Sequence, residues 1–295
     1  MSVTAPSTTA ASTTGALPLV KPLDSALGAE ISNIDLREPL SEEQFAVVME
    51  AFLKHHVLVF RGQPINDEQH LAFTRRFGDL EGHINKSSHH KKLKDVQVFS
   101  NIKDDGTTTG THPERGTLVW HTDKSYVAKP SLATVLRSPA IATSGGDTLF
   151  ANTHAAYDAL DDATRNKIDG LRAVHCWANS RLKSDERPAT ADEITAAPPV
   201  EHPVARTHPV SGRKSIYAGN HSHYVVGMDM DEGIKLLADL EAHATQDKFI
   251  YRHKWQVDDV LMWDNRSTMH CVMPYDAARE KRAVHRVVVK GDKPV

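Results

Sequence analysis

The sequence predicts a mainly β domain with flanking helices, of sandwich or barrel type. From about residue 117 onward, short apolar runs recur between turn formers: TLVWH, LATVLR, DTLFA, RAVHCW, KSIYAG, FIYRHKW, DVLMWD and AVHRVVVK. Short strands at regular spacing suit a sandwich or barrel, whereas a parallel α/β sheet would alternate them with helices. Two helical signals around one strand-like run precede this region. A chain of 295 residues in this class commonly folds as one unit.

Taken in order, residues 1–16 (MSVTAPSTTAASTTGA) are small, polar and uncharged. They read as a disordered tail that buries too little apolar surface to offset its ordering entropy, ahead of a single domain over 17–295. The tail lacks the basic start and apolar run of a secretory signal and the arginines of a transit peptide. Ser41 and Gln44 form an S-x-x-Q capping box, followed at helical spacing by Phe45, Val48, Met49 and Phe52. VLVF (57–60) reads as a buried strand closed by the turn RGQP, and Asn66 opens a second helix that ends near Gly78. A third helix is expected over 231–246, with Ile234, Leu237, Leu240 and Ala244 on one face. Between 183 and 200, KSDERPATADEITAAPPV is charged and rich in Ala and Pro, as expected of a surface insertion serving as a mobile lid.

Lys and Arg total 35 against 38 Asp and Glu. That balance supplies no basic field for nucleic acid or an anionic membrane, which directs attention to a small-molecule site. The two cysteines, Cys176 and Cys271, are too few for a disulfide framework and fit a reducing, cytoplasmic setting. No apolar run reaches the roughly 18 residues that a bilayer span needs. Nothing in the chain specifies an oligomeric state, and a homo-oligomer stays open.

Eighteen histidines are too many for all to be functional. Two have a carboxylate two residues downstream: His112-Pro-Glu114 and His121-Thr-Asp123. Residues i and i+2 of a strand share a face about 7 Å apart, so both side chains can converge on one ion. His121 and Asp123 follow the apolar run Leu118-Val119-Trp120, at an expected strand end. His112 and Glu114 lie among the turn formers of DDGTTTGTHPERG and read as surface. Two histidines and one carboxylate on a face, with the remaining positions open, are the ligand set of non-haem iron(II) oxygenases. His270, after VLMW and the Asp264-Asn265 turn, is the best third ligand, although a hydrogen-bonded core histidine fits that position equally well. Arg282 and Arg286 then share a strand face with Val284. If that face points inward, both guanidinium groups need anions, because unpaired buried charge is costly. On an outer face they would simply be solvated.

These residues belong to longer segments: VLVFRGQPINDEQHLAFTRRFGDLEG, VWHTD, SGGDTLFANTHAAYDAL, HPVSGRKSIY, FIYRHKWQVDDVLMWDNRSTMH and the closing R-x3-R. In this order they closely resemble the taurine dioxygenase and 2,4-dichlorophenoxyacetate dioxygenase family, the aryloxyalkanoate branch above all. The resemblance covers nearly everything except the tail and 183–200. It implies a double-stranded β-helix (jelly roll) that uses iron(II), 2-oxoglutarate as cosubstrate and dioxygen. Carried over, His121, Asp123 and His270 are the metal ligands. Thr148 and Arg282, with Trp255 close by, hold the distal carboxylate of 2-oxoglutarate, and Arg286 meets the anion of the primary substrate. His83 and Lys86 fall where relatives place substrate contacts, mixing features of the two branches. The activity implied is hydroxylation of a small anion with release of succinate and carbon dioxide, on an aryloxyalkanoate with ether cleavage, or alternatively on a sulfonate or alkyl sulfate. Two rival readings are a non-catalytic jelly-roll binding protein, which an intact ligand set argues against, and a zinc hydrolase, which gives the arginines no role.

Overall fold

The structure, a computed structural model, describes residues 15–82 and 90–295. Most of the expected tail (1–14) and the segment 83–89, with both His83 and Lys86, lie outside the described residues. The first half contains β1 (Leu19–Pro22), β2 (Ala29–Ser32), α1 (Glu42–His55), β3 (Val57–Phe60), α2 (Asp67–Arg75), β4 (Gln97–Ser100), β5 (Ala133–Ala140) and β6 (Thr148–Asn152). Next come α3 (Thr153–Asp158), α4 (Asp162–Ile168), β7 (Arg172–His175), α5 (Trp177–Lys183), α6 (Ala191–Ala196), β8 (Val200–Pro203), β9 (Ala205–Thr207) and β10 (Lys214–Ile216). The chain closes with β11 (Ser222–Val225), α7 (Met230–Ala244), β12 (Ile250–His253), β13 (Val260–Asp264), β14 (Thr268–Val272) and β15 (Ala283–Val289).

A seven-stranded sheet of order β1-β2-β3-β13-β5-β15-β4 faces a smaller sheet of order β12-β6-β14. Strand alternation explains how the larger sheet serves two layers. Leu58 and Phe60 of β3 pack outward with Phe52 of α1 and Phe73 of α2, while Val57 and Val59 point inward to Phe150, Tyr251 and Trp263. Both helices start where expected, with reciprocal capping boxes at Ser41/Gln44 and Asn66/Gln69. The jelly-roll interior therefore lies between the two sheets, and the inner-face residues of β5, β13, β14 and β15 look into it.

The third helix forms, but its buried face runs through Gly233, Leu236, Leu237, Leu240 and Ala244, and Ile234 is exposed. The face is turned because α7 lies hard against β11: a Cβ on Gly233 would sit 3.0 Å from the Val225 amide nitrogen. Over 183–200 the chain forms the short helix α6, capped by Thr190 with Glu193 as reciprocal partner. Arg187 donates to Glu193 at 2.7 Å. Glu186 binds Arg181 at 2.8 Å and accepts from the Gly116 amide at 2.8 Å, which ties the segment to the chain entering His121. Among the described residues no helix is long and apolar enough to cross a membrane.

Candidate active site

His270 sits on β14, and His121 joins it through an isolated antiparallel bridge. The His121 amide donates to the His270 carbonyl at 3.0 Å and the His270 amide donates back at 2.8 Å. Paired residues of an antiparallel bridge put their side chains on one face, and the two rings lie 4.2 Å apart between centroids. The expected strand TLVWH does not form. Residues Arg115–Leu118 make a 3-10 turn instead, with the Thr117 hydroxyl donating to the Glu114 carbonyl at 2.7 Å. Convergence of His121 and Asp123 thus comes from the bridge followed by a turn beginning at Asp123, not from a continuous strand.

One donor atom from each of His121, Asp123 and His270 lies within 4.8 Å of the others, and all three residues are buried. Each imidazole Nε2 faces the carboxylate, at 3.9 Å for His121 and 3.7 Å for His270. The Val119 carbonyl, 2.8 Å from His121 Nδ1, fixes the proton on Nδ1 and leaves the Nε2 lone pair on the inner side. Burial holds both imidazoles neutral, with their pKa values below the ordinary range. Burial alone would raise the Asp123 carboxyl, but Arg286 and the two imidazoles outweigh it and hold the acid well below the usual range. The carboxylate and the two neutral imidazole lone pairs offer three donors to a single cation. This donor set fits a divalent metal.

Beside this cluster is a cavity lined by His121, His270, Thr148, Trp263, Arg282 and Arg286, among others. Arg282 is 4% exposed, and among the described residues its guanidinium has no acidic partner. Burial pulls its pKa down to about 10. Trp255 Nε1 donates to Thr148 Oγ1 at 3.0 Å, fixing that hydroxyl at the start of β6. The two glycines of SGGDT have a structural reason. Both have positive φ, and a Cβ on Gly146 would lie 3.3 Å from Cδ and Nε of Arg282, while one on Gly145 would meet the Pro274 carbonyl at 2.5 Å. The turn exists to let the chain pass under Arg282.

Arg286 is buried on the inner face of β15, opposite Leu136 of β5. Its Nη1 binds Asp123 Oδ1 at 2.9 Å, its Nε donates to Gln97 Oε1 at 2.9 Å, and the guanidinium lies over the Phe99 ring. This arginine is therefore part of the carboxylate's support. His112 and Glu114, expected on the surface, line the cavity. The 3-10 turn that replaces the predicted strand swings the preceding residues inward. Burial raises the Glu114 carboxyl pKa despite Arg286 nearby, with Glu186 and Asp123 adding to the rise.

Comparison with known proteins decides the family. The model of the family described as taurine catabolism dioxygenase TauD, TfdA family matches residues 19–288. The chain belongs to the TauD/TfdA dioxygenase family. It is 37% identical over 274 residues to the alpha-ketoglutarate-dependent 2,4-dichlorophenoxyacetate dioxygenase of Cupriavidus pinatubonensis, covering 90% of this chain and 96% of that protein. To the alpha-ketoglutarate-dependent sulfate ester dioxygenase of Pseudomonas putida it is 32% identical, over 94% of this chain and 90% of the relative. The crystal structure of AAD-2 in complex with Mn(II) and N-oxalylglycine superposes with a TM-score of 0.85 at 36% identity, covering 95% and 98% of the two chains.

Within this TauD/TfdA fold, residues outside the ligand motif hold Asp123 in place. Thr134 Oγ1 donates to Asp123 Oδ2 at 2.6 Å and accepts from Asn265 Nδ2 at 2.9 Å. Asn265 Oδ1 in turn accepts from Trp263 Nε1 at 3.0 Å and the Asp123 amide at 3.3 Å. Sequence reasoning missed Thr134 and Gln97, and placed Glu114 on the surface. Asn265 was inside the WDN-x4-H match, but its partners become visible only when β5 and β13 pair, with Thr134 opposite Trp263. Thr134→Val keeps the volume and removes the hydroxyl, so metal affinity should fall about tenfold through loss of this support. Titration of the protein with Mn(II) measures it, and an unchanged constant removes Thr134 from the role.

Proposed function

We propose that His121, Asp123 and His270 hold iron(II), that Arg282, Thr148 and Trp255 take 2-oxoglutarate, and that Arg286 faces the anionic group of a small organic substrate. The observation that carries this is a buried metal-binding set sharing one cavity with a buried arginine that lacks an acidic partner. The protein is an iron(II)- and 2-oxoglutarate-dependent dioxygenase. When bound, the metal and cosubstrate supply the oxidant, with dioxygen consumed and succinate and carbon dioxide released as a substrate carbon is hydroxylated.

The chain's own residues bind, orient and exclude water. Arg282 presents a planar fork to the distal carboxylate, with the Thr148 hydroxyl fixed beside it. Phe99, Leu136, Trp263 and Val284 form an apolar wall that keeps solvent from the reacting carbon. We take an aryloxyalkanoate as the favoured substrate, since the relatives include phenoxyacetate and phenoxypropionate dioxygenases. Hydroxylation beside the ether oxygen gives a hemiacetal, which breaks its C–O bond to release a phenol and a 2-oxo acid. Sulfonates and alkyl sulfates offer the same anion to Arg286. His83 and Lys86 join the substrate site by family resemblance alone. The test is a screen of small carboxylates, sulfonates and sulfates for succinate formation that needs both iron(II) and 2-oxoglutarate. Succinate rising with one anion supports the reading; none with any anion, in iron-loaded protein, refutes it.

A further inference from the structure

Three hydrogen-bond donors line the cavity beside the metal cluster, and none has an acceptor among the described residues. Arg282 is buried there, and neither an ion pair nor a hydrogen bond reaches its guanidinium. Thr148 Oγ1 accepts from Trp255 Nε1, which leaves its own proton to donate. The third is His112. Its ring as a whole is half-buried, but its Nε2 is shut off from solvent and has no partner.

The surroundings of His112 decide what that nitrogen is. Its Nδ1 accepts from the Glu114 amide at 3.3 Å, which puts the proton of a neutral ring on Nε2. The ring is neutral because burial, with the Arg282 charge adding to it, pulls its pKa down to about 4. Nε2 is therefore a donor, and its burial makes an unmade bond costly. Tyr275 holds the two groups together: its ring centroid lies 5.4 Å from that of the imidazole and 5.9 Å from the guanidinium carbon of Arg282.

A water molecule satisfies any one of these donors. The set differs in that all three donate and one carries a full positive charge, which calls for an anion. A carboxylate offers roughly four acceptor positions, of which a guanidinium fork fills two and the Thr148 hydroxyl a third. One position is left. We propose that His112 is a further cosubstrate-binding residue, whose Nε2–H donates to the distal carboxylate of 2-oxoglutarate beside Arg282 and Thr148. This rests on the dioxygenase reading and adds to it a residue from the loop ahead of the 3-10 turn, outside the WHTD, SGGDT and R-x3-R segments. It also implies selectivity, because His112 contributes nothing to a 2-oxo acid that lacks a second carboxylate.

The test is calorimetric titration of Mn(II)-loaded full-length protein with two ligands. N-oxalylglycine carries the distal carboxylate; N-methyloxamate keeps the metal-binding end without it and is read by its displacement of N-oxalylglycine. In His112→Phe, which keeps a ring and removes the donor, N-oxalylglycine should bind about tenfold more weakly. N-methyloxamate should bind as it does to the unmutated protein. His112→Gln, whose amide N–H reaches toward the place of Nε2, should recover part of the loss, and Mn(II) affinity should stay the same in both variants. An unchanged N-oxalylglycine constant in His112→Phe overturns the proposal. So does an equal loss with both ligands, which would assign His112 to the shape of the site and not to the distal carboxylate. The two readings fail separately: no binding of N-oxalylglycine by the unmutated protein sinks the dioxygenase reading, whereas equal binding by the unmutated protein and His112→Phe sinks the role of His112 alone.

Discussion

Asp123→Ala abolishes turnover and metal binding, and it also lowers the stability of the metal-free protein. The first effect follows from removing the one anionic donor of the set. The second follows from Arg286, whose Nη1 is paired with Asp123 and whose side chain is buried. Removing one partner of a buried ion pair typically costs about 3–5 kcal/mol, because the other charge stays buried. In a domain of this size that is a fall in Tm on the order of 10 °C. Adding Arg286→Met to Asp123→Ala should recover most of the lost Tm while activity stays absent, since the unpaired charge is gone and the metal site is not restored. Thermal unfolding in chelator and Mn(II) titration read the two effects separately. Full stability in the single variant would mean that the pair contributes nothing to the fold; retained metal binding would remove Asp123 from the ligand set.

Arg282→Ala should raise the 2-oxoglutarate concentration needed for half-maximal succinate formation about ten- to hundredfold, from the loss of charge-assisted bonds worth roughly 1.5–3 kcal/mol. The fold should tolerate the change better than it tolerates Asp123→Ala, because Arg282 has no acidic partner to strand. Stability of the metal-free protein should hold or rise slightly, as a buried unpaired charge is removed. Arg282→Lys should recover only part of the affinity, since an ammonium lacks the planar fork. A titration of 2-oxoglutarate that matches the unmutated protein in the Ala variant would place Arg282 outside the cosubstrate pocket.

Much of this architecture is legible before any coordinates. The capping boxes at Ser41 and Asn66, the strand VLVF and the strands of DTLFA, DVLMWD and AVHRVVVK depend on local periodicity and local hydrogen bonds, and they form as read. The grouping of His121, Asp123 and His270 was legible from residue type, spacing and family resemblance, but not how it assembles. His121 reaches His270 through a long-range bridge, and an apolar run such as TLVWH carries no mark that tells a bridge from a strand. Glu114 was misplaced for the same reason, because turn formers describe how a chain bends and not which way. The Arg286–Asp123 pair was hidden because it joins residues 163 positions apart, and only the pairing of β15 with β5 brings them together. Ile234 was assigned to the buried face of α7 because it is apolar, but Gly233 set the contact with β11.

The reciprocal amide bonds between His121 and His270 also bear on where the entropy of assembling the centre is spent. Their spacing is set by main chain that is ordered when the jelly roll folds, so the arriving ion has little left to organise. Two donors wait in register and Asp123 is held by Thr134 and the Asn265 side chain. Metal affinity is then decided by the identity of the donor atoms more than by conformational search, and loss of either imidazole leaves the scaffold of the other standing.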